Sequence, residues 1–185
     1  VDVNCNGDAN GTINISVSGG NNPLTWTWTS TDLNFTDPGS NAANLAGLNG
    51  GSYTVSVTDN LACSKDTSFA VVEPDTIISN GSVTNVSCSG LSDGAITLNL
   101  SGGTGGLTTT WTGPPGFVDP NTDNLVNIDS GTYQLNIIDG NGCIHDTTFI
   151  LYTPAPIYAN GVPADVSCHG FADGSINLST NNGNN

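Results

Sequence analysis

Apolar and polar residues alternate along several short stretches of the chain. Ile13, Ile15 and Val17 are separated by Asn14 and Ser16, and Ile96, Leu98 and Leu100 by Thr97 and Asn99. Tyr53, Val55 and Val57 repeat the pattern, as do Tyr133, Leu135 and Ile137. A period of two puts successive side chains on opposite faces, so each stretch predicts a strand with one buried and one wet face. Leu shows no run at helical spacing. Strands at intervals of roughly ten residues, separated by Gly, Asn and Asp turns, predict an all-β protein of immunoglobulin-like sandwiches.

The pattern is itself repeated. VNCNGDANGTINI (3–15) returns as VSCSGLSDGAITL (86–98) and as VSCHGFADGSINL (166–178). SGGNNPLTWTW (18–28) answers SGGTGGLTTTW (101–111), which aligns Trp28 with Trp111. Phe35-Thr36-Asp37-Pro38 answers Phe117-Val118-Asp119-Pro120, and GSYTVSVTDNLAC (51–63) answers GTYQLNIIDGNGC (131–143). Fixed-period self-similarity is the mark of modules strung in series. With boundaries near Pro74 and Pro154, the expected domains are 1–74 (a first repeat lacking its start), 75–154 (a complete second repeat) and 155–185 (the opening of a third). A chain that begins in mid-strand is read as a piece of a longer protein.

Five cysteines fall at fixed points of this repeat. Cys5, Cys88 and Cys168 open the repeats, and Cys63 and Cys143 close the first two. A metal site would want close C-x-x-C pairs, and none exists. One cysteine near each end of a module reads as a disulfide, so the expected pairs are Cys5–Cys63 and Cys88–Cys143, with the partner of Cys168 beyond the chain. Such bonds place the protein outside the reducing cytosol. Trp28, Trp111, Tyr53 and Tyr133 occupy slots where a sandwich keeps its core aromatics, and Phe35 and Phe117 are expected to plug one end.

Composition narrows the partners. Charged residues are 9% of the chain, and sixteen acids face the single base Lys65, a net charge of −15. Such a surface repels phosphate backbones and anionic membranes, which excludes nucleic acid as an expected partner. No apolar run approaches the ~20 residues that would span a bilayer. No Ser-His-Asp set recurs and no phosphate-binding glycine loop precedes a helix, so no catalytic residue is expected. His145 stands where the first repeat has Lys65, and His169 lies in a turn. Asp37/Asp119 and Asp59/Asp139 recur in both repeats and are the candidate Ca²⁺ ligands, although no D-x-D-x-D-G loop is present and Asp before a turn is ordinarily a backbone cap. Trp26, whose counterpart is Thr109, is the candidate for stacking on a sugar. Seven N-x-S/T sequons start at Asn10, Asn14, Asn34, Asn80, Asn85, Asn99 and Asn177.

Taken in order, C-x-G-x-x-D/N-G-x-I, S-G-G, the strand Trp, G-S/T-Y-x-apolar and D-x-x-x-C resemble the SprB-type repeat of large surface adhesins of gliding Bacteroidota. The resemblance covers the two longer repeats and the opening of the third; Asn10 in place of Asp, and Gly105-Gly106 where such repeats often carry a proline-aromatic pair, are its departures. It implies type IX secretion, attachment at the cell surface and service as a protease-resistant spacer in adhesion or gliding, with neighbouring repeats as partners. It also implies O-glycan attachment at Thr76 in Asp75-Thr76-Ile77 and at Thr147 in Asp146-Thr147-Thr148. Two alternatives remain open: a subunit of a self-associating extracellular filament, and a polysaccharide-binding module of a secreted enzyme.

Overall fold

The structure is a computed structural model that describes residues 1–181. The described residues form thirteen strands and no helix, so no helix is long and apolar enough to cross a membrane. They group into two compact units. One holds residues 1–78 with 100–108 and 137–145; the other holds 79–99, 109–136 and the chain from 146 onward.

The first repeat contributes β1 (Gly11–Asn14), β2 (Thr25–Ser30), β3 (Asn44–Leu48), β4 (Gly51–Thr58) and β5 (Ser64–Val71). β1 pairs with β3, and β2, β4 and β5 form a second antiparallel sheet in that order. Ile13, Leu45 and Leu48 of one sheet and Trp28, Tyr53, Val55 and Val71 of the other meet in a single core with Val3. Ile15, Trp26, Phe35, Val57 and Phe69 pack around its edge.

The second repeat supplies β6 (Ile78–Thr84), β7 (Gly94–Ser101), β8 (Thr108–Thr112), β9 (Leu125–Ile128), β10 (Gly131–Ile138) and β11 (Ile144–Leu151). Their sheets are β6-β7-β9 and β8-β10-β11. With these strands lettered A, B, C, E, F and G, the sheets are A-B-E and C-F-G, the immunoglobulin arrangement without strand D. Two further features of that fold are present. Trp111 on the C strand is 2% exposed, and the Tyr133 hydroxyl at the start of the F strand donates to the Asp129 carbonyl four residues upstream at 3.0 Å. The first repeat builds the same corner from Tyr53 and the Asn49 carbonyl at 2.9 Å. That backward bond fixes the turn between E and F strands.

Residues from the third repeat form a hairpin of β12 (Tyr158–Ala164) and β13 (Ser175–Asn181). Ile176 there is 73% exposed, whereas the residues at its position in the earlier repeats, Ile13 and Ile96, are buried.

Candidate functional site

Opening and closing cysteines of one repeat cannot meet in this fold. Cys63 immediately precedes β5. The opening turn lies past the other end of that strand, where Val3 N–H donates to the Val72 carbonyl and Asn6 Nδ2 to the Pro74 carbonyl, both at 3.0 Å. Eight residues of extended chain span about 26 Å, far beyond the ~7 Å between Cα atoms that a disulfide tolerates. The expected pairs Cys5–Cys63 and Cys88–Cys143 are therefore incorrect. Cys5 is bonded to Cys143, with Cα atoms 5.6 Å apart, and Cys63, Cys88 and Cys168 carry exposed free thiols. One repeat's opening turn is thus tied to the next repeat's closing hairpin.

This junction lies within the first compact unit and is built from four segments. The turn Cys5–Asp8 is closed by Asp8 N–H on the Cys5 carbonyl at 3.0 Å. The linker meets it through Thr76 Oγ1, which donates to Asn6 Oδ1 at 2.7 Å, and through the Glu73 carboxylate, which accepts from Gly7 N–H. Gly103 N–H donates to the Asp75 carbonyl at 2.9 Å, and Gly140 N–H to the Thr104 carbonyl at 2.7 Å. Asn141 Nδ2 then reaches the Asn4 carbonyl at 3.0 Å, beside the disulfide. The segments border a cleft of about 400 Å³. Gly102 permits the close approach: its φ is +80°, and a Cβ there would lie 1.9 Å from the Thr76 carbonyl oxygen.

The paired aspartates act as backbone caps. Asp139 accepts from the amides of Thr104, Asn141 and Cys143 at 2.8–2.9 Å, and Asp59 from those of Asn21, Leu61 and Cys63 at 2.9–3.1 Å. These bonds favour the ionised form. The Thr104 amide leads in holding Asp139 below the ordinary carboxylate value, and the Asn21 amide does so for Asp59. Asp37 takes the Trp28 and Gly39 amides, and Asp119 those of Trp111 and Asn121. Among the described residues, no three His, Cys, Asp or Glu side chains converge as a metal site would require.

Trp28, Trp111, Tyr53 and Tyr133 pack in the interior of their repeats. Trp28 and Trp111 are buried, with their indole N–H groups on the carbonyls of Ala42 and Asp123. Phe35 stands edge-on to Tyr53 and Phe117 edge-on to Tyr133, with centroids 5.3 and 5.2 Å apart. Trp26 is half-buried and packed on the core, with its indole nitrogen enclosed and without a hydrogen-bond partner. Thr76 is exposed but hydrogen-bonded at the junction, while Thr147 is half-buried on β11 beside a shallow groove with Thr110 and Gln134. Sequence reading missed Asn6, Gly102 and Asn141 as junction residues. The recurrence of Gly-Gly before each C strand was the available signal.

No curated protein matches the chain by sequence. Among solved structures, the N-terminal four Ig domains of Dscam1 isoform 6.44 align at a TM-score of 0.34 and 10% identity, over 79% of this chain and 42% of that one. So low a score carries no argument; the immunoglobulin-like topology stands on strand order and the tyrosine corners. A family model described as SprB repeat matches residues 1–32 and 80–116, the opening portions of the first two repeats. The chain is thus similar to the SprB repeat at two places, one in each of its longer repeats.

Proposed function

We propose that the chain is a structural spacer segment of a large secreted adhesin or extracellular fibre, held at the cell surface for attachment or gliding. The SprB repeat is a repeat of cell-surface adhesins, and the all-β immunoglobulin-like fold is a structural kind of domain. The observation that carries the reading is the Cys5–Cys143 bond. A disulfide inside each module would stabilise modules one by one. A bond from one repeat to the next makes the connection between them covalent at two points, the peptide chain and the bridge. That suits a part that transmits tension and contributes no chemistry of its own.

A strongly acidic surface with a single Lys and no Arg adds solubility and leaves trypsin-like proteases almost nothing to cut. Both suit an exposed position. In a bacterium that carries the parent gene, antibodies to this chain should label intact, unpermeabilised cells, and deleting the gene should reduce attachment to a solid surface. Label confined to permeabilised cells would overturn the reading.

A further inference from the structure

The two halves of the junction recur, already shaped, at cysteines that have no disulfide partner among the described residues. The hairpin of Cys63 reproduces that of Cys143 bond for bond. Asp59 N–H donates to the Cys63 carbonyl at 2.9 Å and Asp139 N–H to the Cys143 carbonyl at 3.0 Å. The aspartate Oδ1 takes the cysteine amide at 2.9 Å in each. Ala62 and Gly142, the residues before the cysteines, both have left-handed backbones, at φ 63° and 84°. Asn60 N–H reaches the Asn21 carbonyl as Gly140 N–H reaches that of Thr104.

The opening turns match equally well. The residue three beyond each opening cysteine donates its N–H back to the cysteine carbonyl: Asp8 to Cys5 at 3.0 Å, Leu91 to Cys88 at 3.2 Å and Phe171 to Cys168 at 3.1 Å. The amide before each cysteine donates to an Asx oxygen six residues on: Asn4 to Asn10, Ser87 to Asp93 and Ser167 to Asp173, at 2.9, 2.9 and 3.0 Å. Among the described residues, only the Cys5 turn and the Cys143 hairpin are joined by a disulfide. The remaining cysteines of both kinds are free and exposed.

We infer that Cys63, Cys88 and Cys168 are docking half-sites for another repeat of the same kind, with a fixed polarity. The Cys63 hairpin takes an opening-turn cysteine, and the Cys88 and Cys168 turns take a hairpin cysteine. Like does not bond with like. Because each half is held by its own backbone bonds, joining them orders little further chain. The inference rests on the repeat geometry and not on the adhesive role.

The step is thiol–disulfide exchange with a disulfide oxidant, here glutathione disulfide. One protein thiolate attacks it, forming a mixed disulfide and releasing one glutathione. The second protein thiolate attacks the protein sulfur of that mixed disulfide and releases the other. Two protein thiols are oxidised by two electrons, and the oxidant leaves as two glutathione thiols that carry the protons.

The test uses the full chain at high concentration, under native conditions, with glutathione disulfide. Products are digested without reduction and the linked peptides quantified by mass spectrometry. Links between copies should join Cys63 to Cys88 or Cys168 at least tenfold more often than they join Cys63 to Cys63 or pair the opening cysteines. Cys63→Ser should abolish linked dimers, and Cys88→Ser should leave those made through Cys168. A statistical mixture of pairings, or glutathione adducts without chain-to-chain links, would overturn the inference. Either failure would leave the adhesin reading standing, since that is tested on cells.

Discussion

The Asp139 carboxylate holds the amide of Cys143 at 2.9 Å, while the Asp139 N–H donates to the Cys143 carbonyl at 3.0 Å. This two-way clamp sets the hairpin from which the cysteine reaches Cys5. Asp59 clamps Cys63 in the same way, so one carboxylate in each repeat governs a cysteine's position.

The clamps make stability depend on acid. Backbone amides depress Asp59 and Asp139, and hydrogen bonds from Ser87 and Ser167 depress Asp93 and Asp173. A carboxyl whose pKa is lower folded than unfolded contributes stability that is fully present above its unfolded value and lost as pH falls through the folded one. Melting temperature should therefore hold level down to the ordinary aspartate value of 3.8 and drop below it. Asp139→Asn should shrink that acid-dependent drop in thermal scans across pH, and a drop of unchanged size would contradict the assignment.

Each tyrosine corner should be separable from the core beneath it. Tyr133→Phe removes only the hydroxyl bonded to Asp129 and is expected to cost about 1 kcal/mol in denaturant titration. Trp111→Ala empties a buried site and should cost about 3–5 kcal/mol.

Gly102→Ala tests how closely the junction packs. Its positive φ and the 1.9 Å approach to the Thr76 carbonyl oxygen leave no room for a methyl group. The variant should lose about 2 kcal/mol or more. Gly7→Ala has a positive φ but open space around it, so it should lose less.

Much of this fold could be read from the sequence, because alternation is a local signal. The positions of Ile13, Ile96, Tyr53 and Tyr133 on core-facing strands follow from period two alone. The disulfide partner did not follow. Cys63 and Cys143 occupy the same place in successive repeats, so spacing relative to Cys5 leaves a choice of one whole period, and the nearer partner is the natural one to pick. Only the strand direction, which puts β5 between Cys5 and Cys63, decides against it. The recurrent aspartates were equally ambiguous: Asp37 and Asp119 recur because each caps a strand backbone, and a cation ligand would recur in the same way.

That ambiguity gives a simple test for calcium. Since Asp37, Asp59, Asp119 and Asp139 already accept backbone amides, millimolar Ca²⁺ should move the melting temperature no more than Mg²⁺ does. A rise specific to Ca²⁺, reversed by chelator, would make these carboxylates ligands after all.

The central claim is that the bridge runs from one repeat to the next. Non-reducing digestion of the purified chain, with free thiols alkylated beforehand, tests it most directly. The account predicts a linked peptide pair containing Cys5 and Cys143, with Cys63, Cys88 and Cys168 alkylated. Linked pairs of Cys5 with Cys63 and of Cys88 with Cys143 would contradict it and return the disulfides to the interior of each module.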